Sequence, residues 1–197
     1  MMAASPTISR STVLNITIVV EAALLLLATL LAHLFHLQLL SLLAFNQKAM
    51  LIGLGAGAVT AASAYILLLL CTRTSVLPQL RQITDQILLP VVANLNLVDI
   101  LIIAALSGFC EEVFFRGIIQ GKCGLLLTSI AFGLSHSPSL RHFSYALLAF
   151  VYGLMLGALF DYTGNLWSPI IAHATHNSIV FLILRYGAKP PAATEAN

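Results

Sequence analysis

The stretch GFCEEVFFRGIIQG, residues 108–121, sets Glu111, Glu112 and Arg116 inside a long apolar run. A charged side chain at bilayer depth costs roughly 2.5 to 3.5 kcal/mol on insertion scales, so each needs a partner or a task. Glu112 and Arg116 are four apart, share a helix face and are expected to pair. Glu111 points about 100° away on a turn of ~3.6 residues. It needs a partner on another helix, a water or a proton. The candidates are histidines: His136 in AFGLSHSP, and His173 in PIIAHATHNS, with Asn177 one turn further on the same face. A carboxylate and an imidazole flanking a water make a general base. An amide or imidazole N–H turned toward a developing oxyanion stabilises a tetrahedral intermediate. Together these parts describe peptide hydrolysis, provided that the helices carrying Glu111, His136 and His173 meet. Taken singly, Glu112 and Arg116 read as an internal ion pair, and each histidine as a hydrogen bonder between helices.

The elements that must bring them together are apolar helices. Of the 197 residues, 59% are hydrophobic and 8% charged, against about 25% charged in a soluble domain. That is too little charge to cover a water-facing surface, and the lipid bilayer is the expected surrounding. Hydropathy predicts an all-α, multi-pass membrane bundle of six helices, at 12–34, 49–71, 98–120, 123–137, 143–160 and 166–185. Spans need about 20 apolar residues, and the fourth is short for one. The first apolar run exceeds a signal-peptide core of roughly 7 to 15 residues and reads as a retained helix. The segment between the second and third helices mixes apolar and polar residues, holds Pro78 and Pro90, and reads as an interfacial amphipathic connector. The chain divides into a tail 1–10, helices and connector 11–97, a core 98–186 that holds the ionisable cluster, and a tail 187–197.

Glycines at Gly53/Gly55/Gly57, Gly117/Gly121 and Gly153/Gly157 suit close helix packing, and Trp167 suits an interfacial anchor. A net charge of +2 gives no basis for nucleic-acid binding, and Cys71, Cys110 and Cys123 stand at no metal-like spacing. Six spans put Arg10, Arg73, Arg81, Arg141, Arg185 and Lys189 on one side and Lys48 and Lys122 on the other. The positive-inside rule then places both termini in the cytoplasm.

Three ordered motifs carry a family resemblance. EEVFFR fits Glu-Glu-x-x-x-Arg, FGLSH fits Phe-x-x-x-His, and HATHN fits His-x-x-x-Asn. The chain resembles the CPBP family of intramembrane proteases, related to the Rce1-like type II CAAX prenyl endopeptidases, over roughly residues 97 to 184. The resemblance implies that Glu111 activates the hydrolytic water with His136 beside it. It implies that Glu112 and Arg116 support the site, and that His173 and Asn177 line the oxyanion side. Members are commonly labelled metalloproteases, and a glutamate-dependent, metal-free mechanism has also been argued. Glu111, His136 and His173 would suffice for a three-ligand zinc site with an open position, although no H-E-x-x-H motif is present. Zinc and no metal both stay open. The implied partner is a membrane-associated peptide or protein substrate. A non-catalytic membrane scaffold, or a bacteriocin-immunity protein on the same fold, is the alternative. A small transporter using the carboxylates as a proton relay is the third reading. Glu21 and His176 match none of the motifs.

Overall fold

A computed structural model describes residues 8–73, 78–137 and 143–187. Among these residues the chain is helical, with no strand. The elements are α1 (Arg10–Leu34), α2 (Leu39–Leu42), α3 (Gln47–Arg73), α4 (Pro78–Ile83), α5 (Leu89–Val92), α6 (Leu97–Phe114), α7 (Gly121–Ser135), α8 (Phe143–Thr163) and α9 (Trp167–Leu182). π-Helical turns cover Thr84–Leu88, Phe115–Gln120 and Ile183–Gly187. The predicted ranges therefore fall on helices, with ends displaced by a few residues.

The helix starts are chemically marked. Ser9 Oγ accepts the Thr12 N–H and caps α1. Asn96 and Asp99 form a capping box at α6, each side chain accepting the other's backbone N–H at 2.9 Å. Such a box satisfies two N–H groups that a helix start leaves unpaired. Asp99 also receives Arg10, whose Nε and Nη2 donate to its two oxygens at 2.6 Å each. One carboxylate thus starts α6 and locks α1 beside it. At the opposite end, Trp167 Nε1 donates to the Leu43 carbonyl and Asn165 Nδ2 to the Ala44 carbonyl. Trp167, expected as an interfacial anchor, fixes the start of α9 against the chain leading into α3.

Small residues set the closest approaches. A Cβ added at Gly57 of α3 would lie 2.5 Å from the Ala172 carbonyl oxygen of α9, and one at Gly108 of α6 would lie 2.8 Å from the Ala174 nitrogen. Helix backbones approach this closely only where a side chain is missing. Gly55 and Gly121, by contrast, face open space.

Three helices, Arg10–Leu34, Gln47–Cys71 and Phe143–Thr163, are long and apolar enough to cross a membrane. A fourth span arises if Gln79–Val92 and Leu97–Ser135, bent by 113°, are taken as one. The remaining helices of the six fall outside this group for plain reasons. α6 carries Asp99, Glu111 and Glu112 within 18 residues, and α7 and α9 have 15 and 16. Outward side chains such as Val19, Leu26 and Val59 are 67%, 70% and 67% exposed, as lipid contact requires. The connector is amphipathic as expected: Leu80, Ile83 and Thr84 are buried, while Arg81 and Asp85 face outward. α6 and α7 are not cleanly separate helices. Helical turns run on through Phe115–Gln120 until Gly124, at φ 77°, redirects the chain. That turn folds α7 back, so that the rings of Phe132 and Phe115 meet edge to face at 5.1 Å.

Candidate active site

α6, α7 and α9 meet where the sequence places its ionisable residues. Glu112 and Arg116 pair as expected, Nη1 to Oε1 at 2.9 Å, and both side chains are fully buried. The π-helical turn at Phe115–Gln120 lies between α6 and the bend. Within it, Arg116 Nη2 donates to the Gly153 carbonyl of α8 at 2.9 Å, and the guanidinium carbon stands 4.5 Å from the Phe132 ring centre. Gln120, one turn later, donates to the Gly157 carbonyl and to Asp161. One turn of chain therefore pins α8 through its glycines.

His173 differs from expectation. The sequence offers it, with His136, as a candidate partner of Glu111 across the helices. Its Nδ1 instead donates to Glu112 Oε1 at 2.8 Å, the same oxygen that accepts Arg116. The physical reason is the approach at Gly108, which lets α9 lie against the Glu112 face of α6. His173 is 2% exposed and edge-on to both Phe132 and Tyr152.

Glu111 meets His136. The Oε2–Nε2 separation is 3.4 Å, and both side chains are only partly shielded, 13% and 27% exposed. His136 ends α7, and its ring packs on Phe132 at 4.3 Å. Its Nδ1 lies 2.8 Å from the Phe132 carbonyl. A carbonyl only accepts, so Nδ1 carries the hydrogen, and neutral His136 presents the bare lone pair of Nε2 to Glu111. Two acceptors face each other, and Glu111 Oε2 has no hydrogen-bond donor among the described residues. Only a proton, or a water giving its hydrogens, satisfies both.

Asn177 lies one turn beyond His173 and donates to Ser107 Oγ at 3.0 Å, leaving its second amide hydrogen uncommitted to that bond. His176 faces α3 and α8. Its Nδ1 lies 3.1 Å from Thr60 Oγ1 on α3, and its ring stacks on Tyr152 at 4.4 Å. Glu111, His136, His173, His176 and Asn177 line one cavity of about 660 Å³. Glu112 and Arg116 sit behind its wall.

The cavity has members that the motifs did not reveal. Glu21 reaches it from α1, Thr60 from α3, and Tyr145 and Tyr152 from α8. Glu21 had one legible signal, a lone carboxylate in an apolar run. The hydroxyls had none, since Thr and Tyr are ordinary in membrane helices. Glu111, His136 and His173 line the cavity without closing into a metal-binding group. Among the described residues no three His, Cys, Asp or Glu side chains do so.

Residues 93–179 match the family model of type II CAAX prenyl endopeptidase Rce1-like proteins. That stretch contains all seven motif residues, Phe132 included, and over it the chain is similar to that family. A curated relative, the uncharacterized protein YpbD of Bacillus subtilis (strain 168), is 29% identical over 87 residues. The match covers 44% of this chain and 46% of that protein, so the chain aligns with just under half of its relative. No solved structure matches.

Proposed function

We propose that the protein is an intramembrane endopeptidase that hydrolyses membrane-associated peptides with a water held between Glu111 and His136. The observation that carries this reading is the facing pair of acceptors, Glu111 Oε2 and His136 Nε2, 3.4 Å apart on the cavity wall. A water lying across them donates one hydrogen to each and turns a lone pair toward a bound carbonyl carbon.

In the reaction, Glu111 takes the water proton as the oxygen attacks, and the carbonyl becomes a tetrahedral oxyanion. The second amide hydrogen of Asn177, and His173 Nε2–H when that ring is protonated, are the donors for it. Glu111 then passes its proton to the amide nitrogen. The C–N bond breaks, releasing an amine and a carboxylic acid. Glu112 and Arg116 act through His173, whose Nδ1 they orient. Every step uses a residue present in the cavity or directly behind it, and none requires a metal. We assign the end of the bundle with Arg10 and Arg185 to the cytoplasm, as the excess of positive charge there favours.

The test is cleavage of a quenched library of membrane peptides by the purified protein in lipid, alongside Glu111→Gln and His136→Ala. Cleavage by the parent that both variants lose is the expected result. If the parent cuts nothing that the variants leave intact, the protein is a non-catalytic scaffold or immunity factor. Elemental analysis of the same sample, with and without chelator, reads zinc directly.

A further inference from the structure

Among the described residues the cavity wall carries two carboxylates, Glu21 and Glu111, three histidines, His136, His173 and His176, and no lysine or arginine. Arg116, the guanidinium behind the wall, is already given to Glu112 and the Gly153 carbonyl. Glu111 faces His136. Glu21 has no such partner: it is 6% exposed, and its Oε2 accepts no hydrogen bond among the described residues.

Its depth is set by construction. Arg10 binds Asp99 in a two-pronged contact, so α1 and α6 leave the same end of the bundle side by side. Glu21 then lies about 16 Å along α1, and Glu111 about 18 Å along α6, at ~1.5 Å per residue. The two carboxylates arrive at one level. An unpaired carboxylate in an apolar helix is costly to insert, and intramembrane charges of this kind mark binding or transfer sites. A wall whose described residues offer two carboxylates and no lysine or arginine is complementary to a positive group.

We propose that Glu21 is a specificity-determining residue, whose carboxylate receives a protonated amine or guanidinium of the substrate in the cavity. The positive group belongs either to a lysine or arginine side chain near the scissile bond or to a free peptide amino terminus. The choice of a peptide as the ligand rests on the peptidase reading. The recognition itself rests on the charge pattern of the wall.

The experiment uses the full chain in lipid nanodiscs with His136→Ala, which slows turnover and keeps both carboxylates. The probes are fluorescent apolar peptides of about 20 residues, enough to span a bilayer. One lysine is moved along the series, with norleucine at the same place as its neutral match. A second arm compares free and acetylated amino termini. At one position, or with the free terminus, the charged probe binds about tenfold or more tighter than its match, as a buried charge-assisted hydrogen bond provides. Adding Glu21→Gln removes the preference, and Glu21→Asp keeps part of it. No preference in the Glu21 protein, or the same preference in Glu21→Gln, overturns the assignment.

Modification of Glu21 by a hydrophobic carbodiimide, located by mass spectrometry, checks the native residue should the variants fail to fold. The lysine probe protects and its neutral match does not. Equal labelling with both also overturns the assignment. Cleavage of the same peptides by the parent protein is scored apart. Glu21-dependent binding without cleavage removes the peptidase reading alone, and cleavage without charge preference removes the Glu21 role alone.

Discussion

Glu112 Oε1 accepts both Arg116 Nη1 at 2.9 Å and His173 Nδ1 at 2.8 Å, while Glu111, the next residue, meets His136. The two glutamates should therefore fail differently. In the proposed mechanism, Glu111→Gln keeps the shape and removes the base. Its expected cost is about 10² to 10⁴ in rate, with thermal unfolding close to the parent's. Glu112→Gln strands a buried guanidinium, and losing one partner of such a pair costs about 3–5 kcal/mol. The expected result is a large drop in unfolding temperature, partly recovered when Arg116→Met removes the orphaned charge. Equal destabilisation by both glutamines would sink the division of roles. The Glu112–Arg116 pair was legible in the sequence because i,i+4 spacing fixes neighbours on a helix. His173 was not legible as Glu112's partner, because spacing within one helix says nothing of which face a second helix covers. At His136 the Phe132 carbonyl dictates the tautomer. Nitrogen NMR of the neutral side chain should show the hydrogen on Nδ1; a hydrogen on Nε2 would remove the facing acceptors.

Helices deliver these side chains, and glycines decide how closely. A Cβ at Gly108 would stand 2.8 Å from the Ala174 nitrogen and 3.0 Å from the Ile170 carbonyl oxygen. Backbone cannot yield as a flexible side chain does, so Gly108→Val should push α9 outward and draw His173 off Glu112. Displacements near 1 Å at a site cost on the order of a hundredfold in rate. The expected signature is a fall in turnover larger than the fall in substrate binding. At Gly124, φ 77° is a backbone shape that alanine resists. Gly124→Ala should cost about 1 to 3 kcal/mol in unfolding, although a Cβ there would meet no atom within 4 Å. Helix positions were legible from apolar run length alone. The π-helical turn at Phe115–Gln120 was not, because an extra residue in a turn leaves composition unchanged. Nor was the reversal at Gly124, since GKCGLLL carries two glycines and only one takes the left-handed shape.

Over the whole molecule, charge is sorted by end. Arg10 sits on Asp99 at the start of α6, and Arg185 Nε donates to the Leu95 carbonyl beside it. Lys122 lies 5.2 Å from the ring of Phe35, just past the far end of α1, and Lys48 starts α3 next to the Asn165–Ala44 tie. These four cations divide as hydropathy and six spans predict; Arg141 and Lys189 lie outside the described residues. A sequence could show this sorting because each apolar run reverses the chain's direction; it could not show that Arg10 and Asp99 touch. Cytoplasmic orientation of the Arg10 end is a claim about the cell, and a native reporter tests it. Cys123 is exposed beside Lys122, whereas Cys71 and Cys110 are buried. A maleimide that cannot cross membranes should label intact cells at Cys123, and Cys123→Ser should abolish the signal. A cysteine placed at Arg185 in the Cys123→Ser background should label only after the membrane is opened. Labelling of that site in intact cells, with Cys123 silent, would turn the molecule over. The cavity wall would keep its geometry, and the face nearest the Arg10 end would then be the outer one.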